Sequence, residues 1–137
     1  MLHSEEEFRS FCPIASSLDL IGDRWTLLLI RDLYFGACRY NDFLSSPEGI
    51  PTNLLAERLR TLESHGIVTK TPYQQKPVRY AYRLTEMGLA LVPVMRALSQ
   101  WGLTWLPDRQ AVLPAEVPWV ERVRSGGAWH EDRSAAD

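Results

Sequence analysis

The sequence predicts a mainly α-helical domain that carries one small β-hairpin and a long C-terminal helix. Three observations lead there. Residues 50–66, IPTNLLAERLRTLESHG, place Leu55, Leu59 and Leu62 on one face of a helix and Asn53, Ala56, Glu57, Arg60 and Ser64 on the opposite one. Past Gly66 the period changes: residues 67–71 (IVTKT) and 78–84 (VRYAYRL) are β-branched or alternating and read as two strands around the polar, Pro-containing PYQQKP. Beyond them Met87, Leu91, Val94, Leu98, Trp101 and Trp105 recur at intervals of four and three, the apolar seam of two helices lying together.

Composition narrows the class. With 137 residues, 45% apolar and 23% charged, the chain is long enough to bury roughly two thirds of its unfolded surface in one domain, so neither disulfide nor metal is needed for stability. No apolar run approaches the roughly 18 residues of a membrane helix, and the acidic stretch at 5–7 is wrong for a signal peptide, so a cytoplasmic protein is expected. Cys12 and Cys38 have no CxxC spacing, which argues against zinc and for thiols at rest. The net charge of −2 hides a division: residues 39–84 carry seven basic and four acidic groups, the rest eight and thirteen. A basic middle between acidic ends suits a polyanionic partner.

In chain order, residues 1–11 form an acidic arm. Cys12-Pro13 opens a first helix in which Ile14, Leu18 and Ile21 recur and Gly22 is the stop. Asp23 is placed to cap the next helix, RWTLLLIRDLYFG, which is apolar almost all round and therefore central, with Arg24, Arg31 and Asp32 left for the outside. Gly36 ends it. A short helix over 39–44 turns Tyr40, Phe43 and Leu44 inward, and SSPEG makes a turn. The helix at 50–66 follows, with Pro51 in its first turn, Thr52 or Asn53 as caps and Gly66 as a left-handed stop. The hairpin tip carries Gln74, Gln75 and Lys76, with Arg79 just inside it. Thr85 caps a long helix reaching to about Leu106, kinked at Pro93. Its seam packs either on its own core or on a second subunit, and the two tryptophans near its end favour the subunit. Residues 107–137 form an extension in which Trp119 and Val123 suit one docked helical turn and the final HEDRSAAD suits disorder.

Helix, helix, helix-turn-helix, two-stranded wing and long helix is the order of a winged helix-turn-helix. The chain also resembles the HxlR-type transcriptional regulators, relatives of the MarR-like winged helices. The resemblance rests on Cys12-Pro13, LDLIGDRWTLLLIRDL (18–33), GACRYNDF (36–43), GIPTNLLAERLRTLESHGIV (49–68), PVRYAYRLTEMG (77–88) and LVPVMRALSQWG (91–102), and leaves 107–137 outside. It implies a domain over 12–106 that acts as a homodimer on operator DNA, usually as a repressor and sometimes as an activator, with dimerisation through the N-terminal region and the long helix. Leu91, Val94, Leu98, Trp101 and Trp105 are then the interface candidates.

On that reading the polar face of 51–65 enters the major groove, the only groove with a full donor and acceptor code. Thr52, Asn53 and Arg60 are the candidates for base edges or phosphates, and Arg58, on the flank of the leucine stripe, for a phosphate or a neighbouring carboxylate. Arg39 and Asn41 would grip the backbone, and Gln74, Gln75, Lys76 and Arg79 the adjacent backbone or minor groove. Glu57 on the same face fits least comfortably.

Cys12, beside a helix start and with Arg9 one turn away, has the surroundings that favour a thiolate. The resemblance implies oxidant or electrophile sensing at such a cysteine; packing as a small apolar residue at the interface is the alternative. A small-molecule effector held among Trp25, Tyr34, Phe35 and Trp101 is the competing input. No cofactor is expected. His3, His65 and His130 are scattered without a second catalytic group, and there is no phosphate loop, so an enzyme is not expected. The rival from another class is a winged helix serving as a protein-interaction module.

Overall fold

The computed structural model describes residues 8–109. The acidic stretch at 5–7, the turn around Trp119 and Val123 and the C-terminal HEDRSAAD lie outside them. Six helices and one hairpin follow in the order α1 (Pro13–Ile21), α2 (Thr26–Tyr34), α3 (Tyr40–Leu44), α4 (Thr52–Ser64), β1 (Val68–Gln75), β2 (Val78–Leu84), α5 (Glu86–Leu89) and α6 (Val92–Trp105). This is the expected winged helix-turn-helix with its C-terminal helix.

The core forms where the apolar stripes meet. Leu29, Ile30 and Leu33 of α2, Phe43 of α3, Leu55, Leu59 and Leu62 of α4, and Ile67, Val68 and Leu84 at the root of the hairpin are all buried. Asp23 serves α2 as expected: its Oδ2 accepts from the backbone N–H of Trp25 and Thr26, and its Oδ1 accepts from the Thr26 hydroxyl. These bonds fill donors that a helix start leaves open.

Four local readings change. Asp32 is buried, not outside: its carboxylate accepts from the Ser46 hydroxyl and from Arg31. Helical spacing alone could not anticipate a partner fourteen residues away. The N-cap position of α4 is Pro51 itself, so Thr52 and Asn53 sit inside the first turn and cap nothing. PYQQKP is not all turn, because β1 runs on to Gln75 and leaves Lys76-Pro77 as the connection. In a two-stranded sheet each strand has an open edge, so Pro72 can join the ladder although it has no N–H to donate. Finally, the long helix is interrupted at Ala90 and Leu91: Pro93 stands in the first turn of α6, where its missing N–H costs nothing.

The junction of hairpin and α5 is tight. The Thr85 Oγ1 accepts from the Gly88 N–H and donates toward the carbonyls of Gly66 and Ile67. Gly66, at φ +77°, makes the left-handed stop after α4. A Cβ on Gly88 would lie 2.4 Å from the Ile67 carbonyl oxygen, which is backbone and cannot swing aside. Gly88→Ala is therefore expected to destabilise the fold by about 1–3 kcal/mol, read as a lower urea midpoint at unchanged slope.

Of the seam residues, Leu91 is half-buried against the protomer's own core, whereas those farther along the helix stand largely open. Val94, Leu98, Trp101 and Trp105 are 44–70% exposed, and Phe11 just before α1 and Ile14 and Leu18 on it are 52–85% exposed. Among the described residues, the protomer's own core leaves these side chains largely open. Among the described residues, no helix is long and apolar enough to cross a membrane.

Candidate nucleic-acid interface

The site is built on the turn that connects α3 to α4 and on the hairpin that follows. Arg31 holds that turn: its guanidinium meets Asp32 beside it and forms a two-pronged contact with Glu48, at 2.9 and 2.7 Å. Burial works against the Arg31 charge, but the bonds to Glu48 and Asp32 raise its pKa well above the usual guanidinium value. The Arg31 bonds also hold the Glu48 carboxyl below its usual range, whereas burial pushes Asp32 up despite its neighbours. The turn into α4 is thus pinned to the central helix by one half-buried cation and two carboxylates.

With its leucines buried, α4 offers Thr52, Asn53, Glu57, Arg60 and Ser64 to solvent. Thr52 is anchored through its carbonyl, which accepts from the Tyr40 hydroxyl. Arg58 lies on the flank, as its place in the stripe suggested, and its Nε stands 3.3 Å from an Asp23 carboxylate oxygen without hydrogen-bond geometry. Burial raises the Asp23 pKa, but the Thr26 and Trp25 hydrogen bonds and the Arg58 charge more than reverse this. That carboxylate occupies Arg58 and sets it apart from the exposed Arg60.

The wing departs from expectation in one side chain. Gln75, Lys76 and Arg79 are exposed, but Gln74 is half-buried and its amide donates to the Pro77 carbonyl, closing the turn. Lys70 bridges back to α4, its Nζ 3.5 Å from Glu63 and 4.5 Å from the centre of the Tyr80 ring. At the start of α3, Arg39 and Asn41 are exposed. Asp42, treated from sequence only as a charge, is buried and accepts from the backbone N–H of Cys38 and Arg39. Sequence reasoning also missed Tyr73, whose ring lies under the Arg39 guanidinium. An aromatic residue inside a polar hairpin run was the available signal.

Two other features bear on the expected inputs. A cavity of about 400 Å³ opens between α2 and α6, lined by Leu27, Leu28, Tyr34, Phe35, Val92 and Met95 with Arg31 and Arg96 at its margin. Of the four aromatics expected there it takes Tyr34 and Phe35, while Trp25 borders a smaller hollow. Cys12 is exposed at the N-cap of α1. The nearby cation expected from sequence is engaged elsewhere, since Arg9 pairs with Asp19 at 2.5 Å and bonds it through its backbone N–H as well.

A solvent-facing helix after a pinned turn, followed by a wing with exposed basic residues, defines a winged helix-turn-helix of the DNA-binding type. The chain belongs to the HxlR-like helix-turn-helix family, whose model matches residues 20–110. It is 42% identical over 94 residues, 69% of its length, to an uncharacterized HTH-type transcriptional regulator of Mycobacterium bovis, of which it spans 59%. A second such regulator, from Synechocystis sp., is 38% identical over 110 residues, with 78% of this chain and 82% of that one covered. Among solved structures, the redox regulator HypR in its reduced form is similar at 34% identity with a TM-score of 0.63, over 68% of this chain and 92% of HypR. The reduced form of the transcriptional regulator YodB from B. subtilis is similar at 32% identity with a TM-score of 0.59, over 74% of this chain and 100% of YodB. The chain spans about three fifths of the length of the mycobacterial relative. The family is one of transcriptional regulators, not of enzymes.

Proposed function

We propose that the protein is a sequence-specific DNA-binding transcriptional repressor that acts as a homodimer on a pseudo-palindromic operator. The observation that carries this reading is the division of α4. Leu55, Leu59 and Leu62 are consumed by the core, while Thr52, Asn53 and Arg60 stand in solvent on a helix whose entry turn is fixed. Family membership and the HTH-type regulators among its relatives support it. The uncovered seam of α6 and the apolar face of α1 support the dimer, which would present two copies of α4 about 34 Å apart along the duplex.

A matched pair of variants tests the interface. Arg60→Ala is expected to cost about 1–3 kcal/mol on the best-bound sequence and to relax base preference at one position in each half-site. Lys76→Ala is expected to weaken all sequences alike and to lower the slope of affinity against salt by about one for each half-site. Selection from a random duplex library, followed by binding titrations at several salt concentrations, measures both. A protein that retains no duplex DNA at low salt would leave the winged helix as a protein-interaction module.

The signal we assign to oxidants acting on Cys12, supported by the exposure of that thiol and by the likeness to the redox regulator HypR. DNA binding that is lost with diamide in the native protein but kept in Cys12→Ser is the expected result. Equal responses in both would return Cys12 to a packing role and leave the input to a small molecule in the α2–α6 cavity.

A further inference from the structure

We propose that Tyr73 is a positioning residue of the DNA interface: its ring holds the Arg39 guanidinium ready for a phosphate and joins the wing to the start of α3 as one gripping unit. The inference rests on the reading of Arg39 as a backbone contact.

Three observations carry it. First, the backbone at Arg39 is fixed from both sides. Asp42 accepts from the N–H of Cys38 at 2.9 Å and of Arg39 at 2.8 Å, and the Cys38 carbonyl accepts from the N–H of Tyr82 on β2 at 2.7 Å. Phe43 and Tyr82 pack edge to face behind this junction. Second, the ladder of the wing is broken at one place, and that place is Tyr73. The register passes from Pro72↔Tyr80 to Gln74↔Arg79 and skips the residue between. A bulge re-aims a side chain that regular alternation would send elsewhere. Third, the ring so aimed meets a cation. The Arg39 Cζ lies 4.3 Å from its centre, while the ring remains 42% exposed.

The chemistry of this partner matters. Arg9, Arg31 and Arg58 each face a carboxylate, which neutralises the charge. An aromatic face attracts a guanidinium through its quadrupole and leaves both the positive charge and the in-plane N–H donors available. A flexible arginine is thereby ordered before DNA arrives, so that less side-chain entropy is lost on binding, and its donors stay directed outward. The bulge at Tyr73 then has a function: it couples wing placement to the grip at α3.

The test is a double-mutant cycle on random-sequence duplex, read as affinity and as salt slope, with thermal unfolding of each variant recorded. Tyr73→Ala is expected to weaken binding about two- to fivefold for each subunit engaged and to move the salt slope toward that of Arg39→Ala. Tyr73→Phe, which keeps the ring face, is expected to restore wild-type binding and slope. In an Arg39→Ala background, Tyr73→Ala should change nothing further. If its effect there is as large as in the native protein, or if Tyr73→Phe loses as much as Tyr73→Ala, the proposal is overturned. An Arg39→Ala variant with unchanged affinity and slope removes the underlying reading of Arg39 instead, and this separates the two failures.

Discussion

Leu98→Glu is expected to convert the protein from dimer to monomer and to lower operator affinity about a hundredfold or more, without unfolding the protomer. Leu98 is 56% exposed in the protomer, so the substitution removes little of its core. In the dimer we propose, the same position lies in the middle of a seam with Val94, Trp101 and Trp105, and an unpaired carboxylate buried there costs several kcal/mol. The loss on DNA is larger than any single contact could cause, because two linked half-sites bind with an effective concentration that a monomer forfeits; this is worth about 10²–10⁴ in affinity. Sedimentation and operator titration read the two effects, and unchanged far-UV circular dichroism certifies the fold. A variant that stays dimeric would show that the seam is not the subunit contact.

The sequence was most informative where one physical rule acts alone. Leu55, Leu59 and Leu62 at helical spacing, Gly66 in the left-handed region and Asp23 before α2 each did what their local chemistry demands. It failed where a distant partner decides. Asp32 reads as a surface charge until Ser46 and Arg31 are brought to it, and PYQQKP reads as loop until β2 offers a register that takes Pro72, Gln74 and Gln75 into a ladder. Capping by Thr52 or Asn53 failed for a subtler reason: Pro51 already has extended backbone at ψ 144° and takes the N-cap position, which moves both polar residues one step into the helix. At the interface, residue types were legible but commitments were not. Gln74 and Gln75 look alike in the sequence, yet one bonds the Pro77 carbonyl and the other faces solvent. Tyr73 gains its place from a bulge, a feature with no sequence rule strong enough to predict it.

Arg31→Met is expected to destabilise the fold by about 3 kcal/mol at neutral pH, and the deficit should shrink on acidification. Methionine keeps much of the apolar stem of Arg31, so packing beside the α2–α6 cavity is largely retained and the change is one of charge. At neutral pH it leaves Asp32 buried and ionised, with the Ser46 hydroxyl but no cation, and removing one partner of a buried pair costs about 3–5 kcal/mol; the lower end applies because Arg31 is partly exposed. The pH dependence follows from the directions of the two carboxyl groups. In the native protein the Arg31 bonds hold Glu48 below its ordinary value of 4.5, so the stability it contributes is present above that value and is lost as pH falls through the lowered one. Asp32 acts oppositely: burial raises it above 3.8 even beside Arg31, so the folded state takes up its proton before the unfolded chain does and gains from acidification. Without Arg31 the Glu48 contribution vanishes and Asp32 is raised further. Urea unfolding followed from neutral pH down through the carboxylate range should therefore bring the variant toward the native protein. A constant gap would mean that Asp32 is not the group left stranded. Because Glu48 sits in the turn before α4, the same variant should also bind DNA more weakly than its loss of stability explains, the turn having lost the contact that holds α4 at a fixed angle to α2.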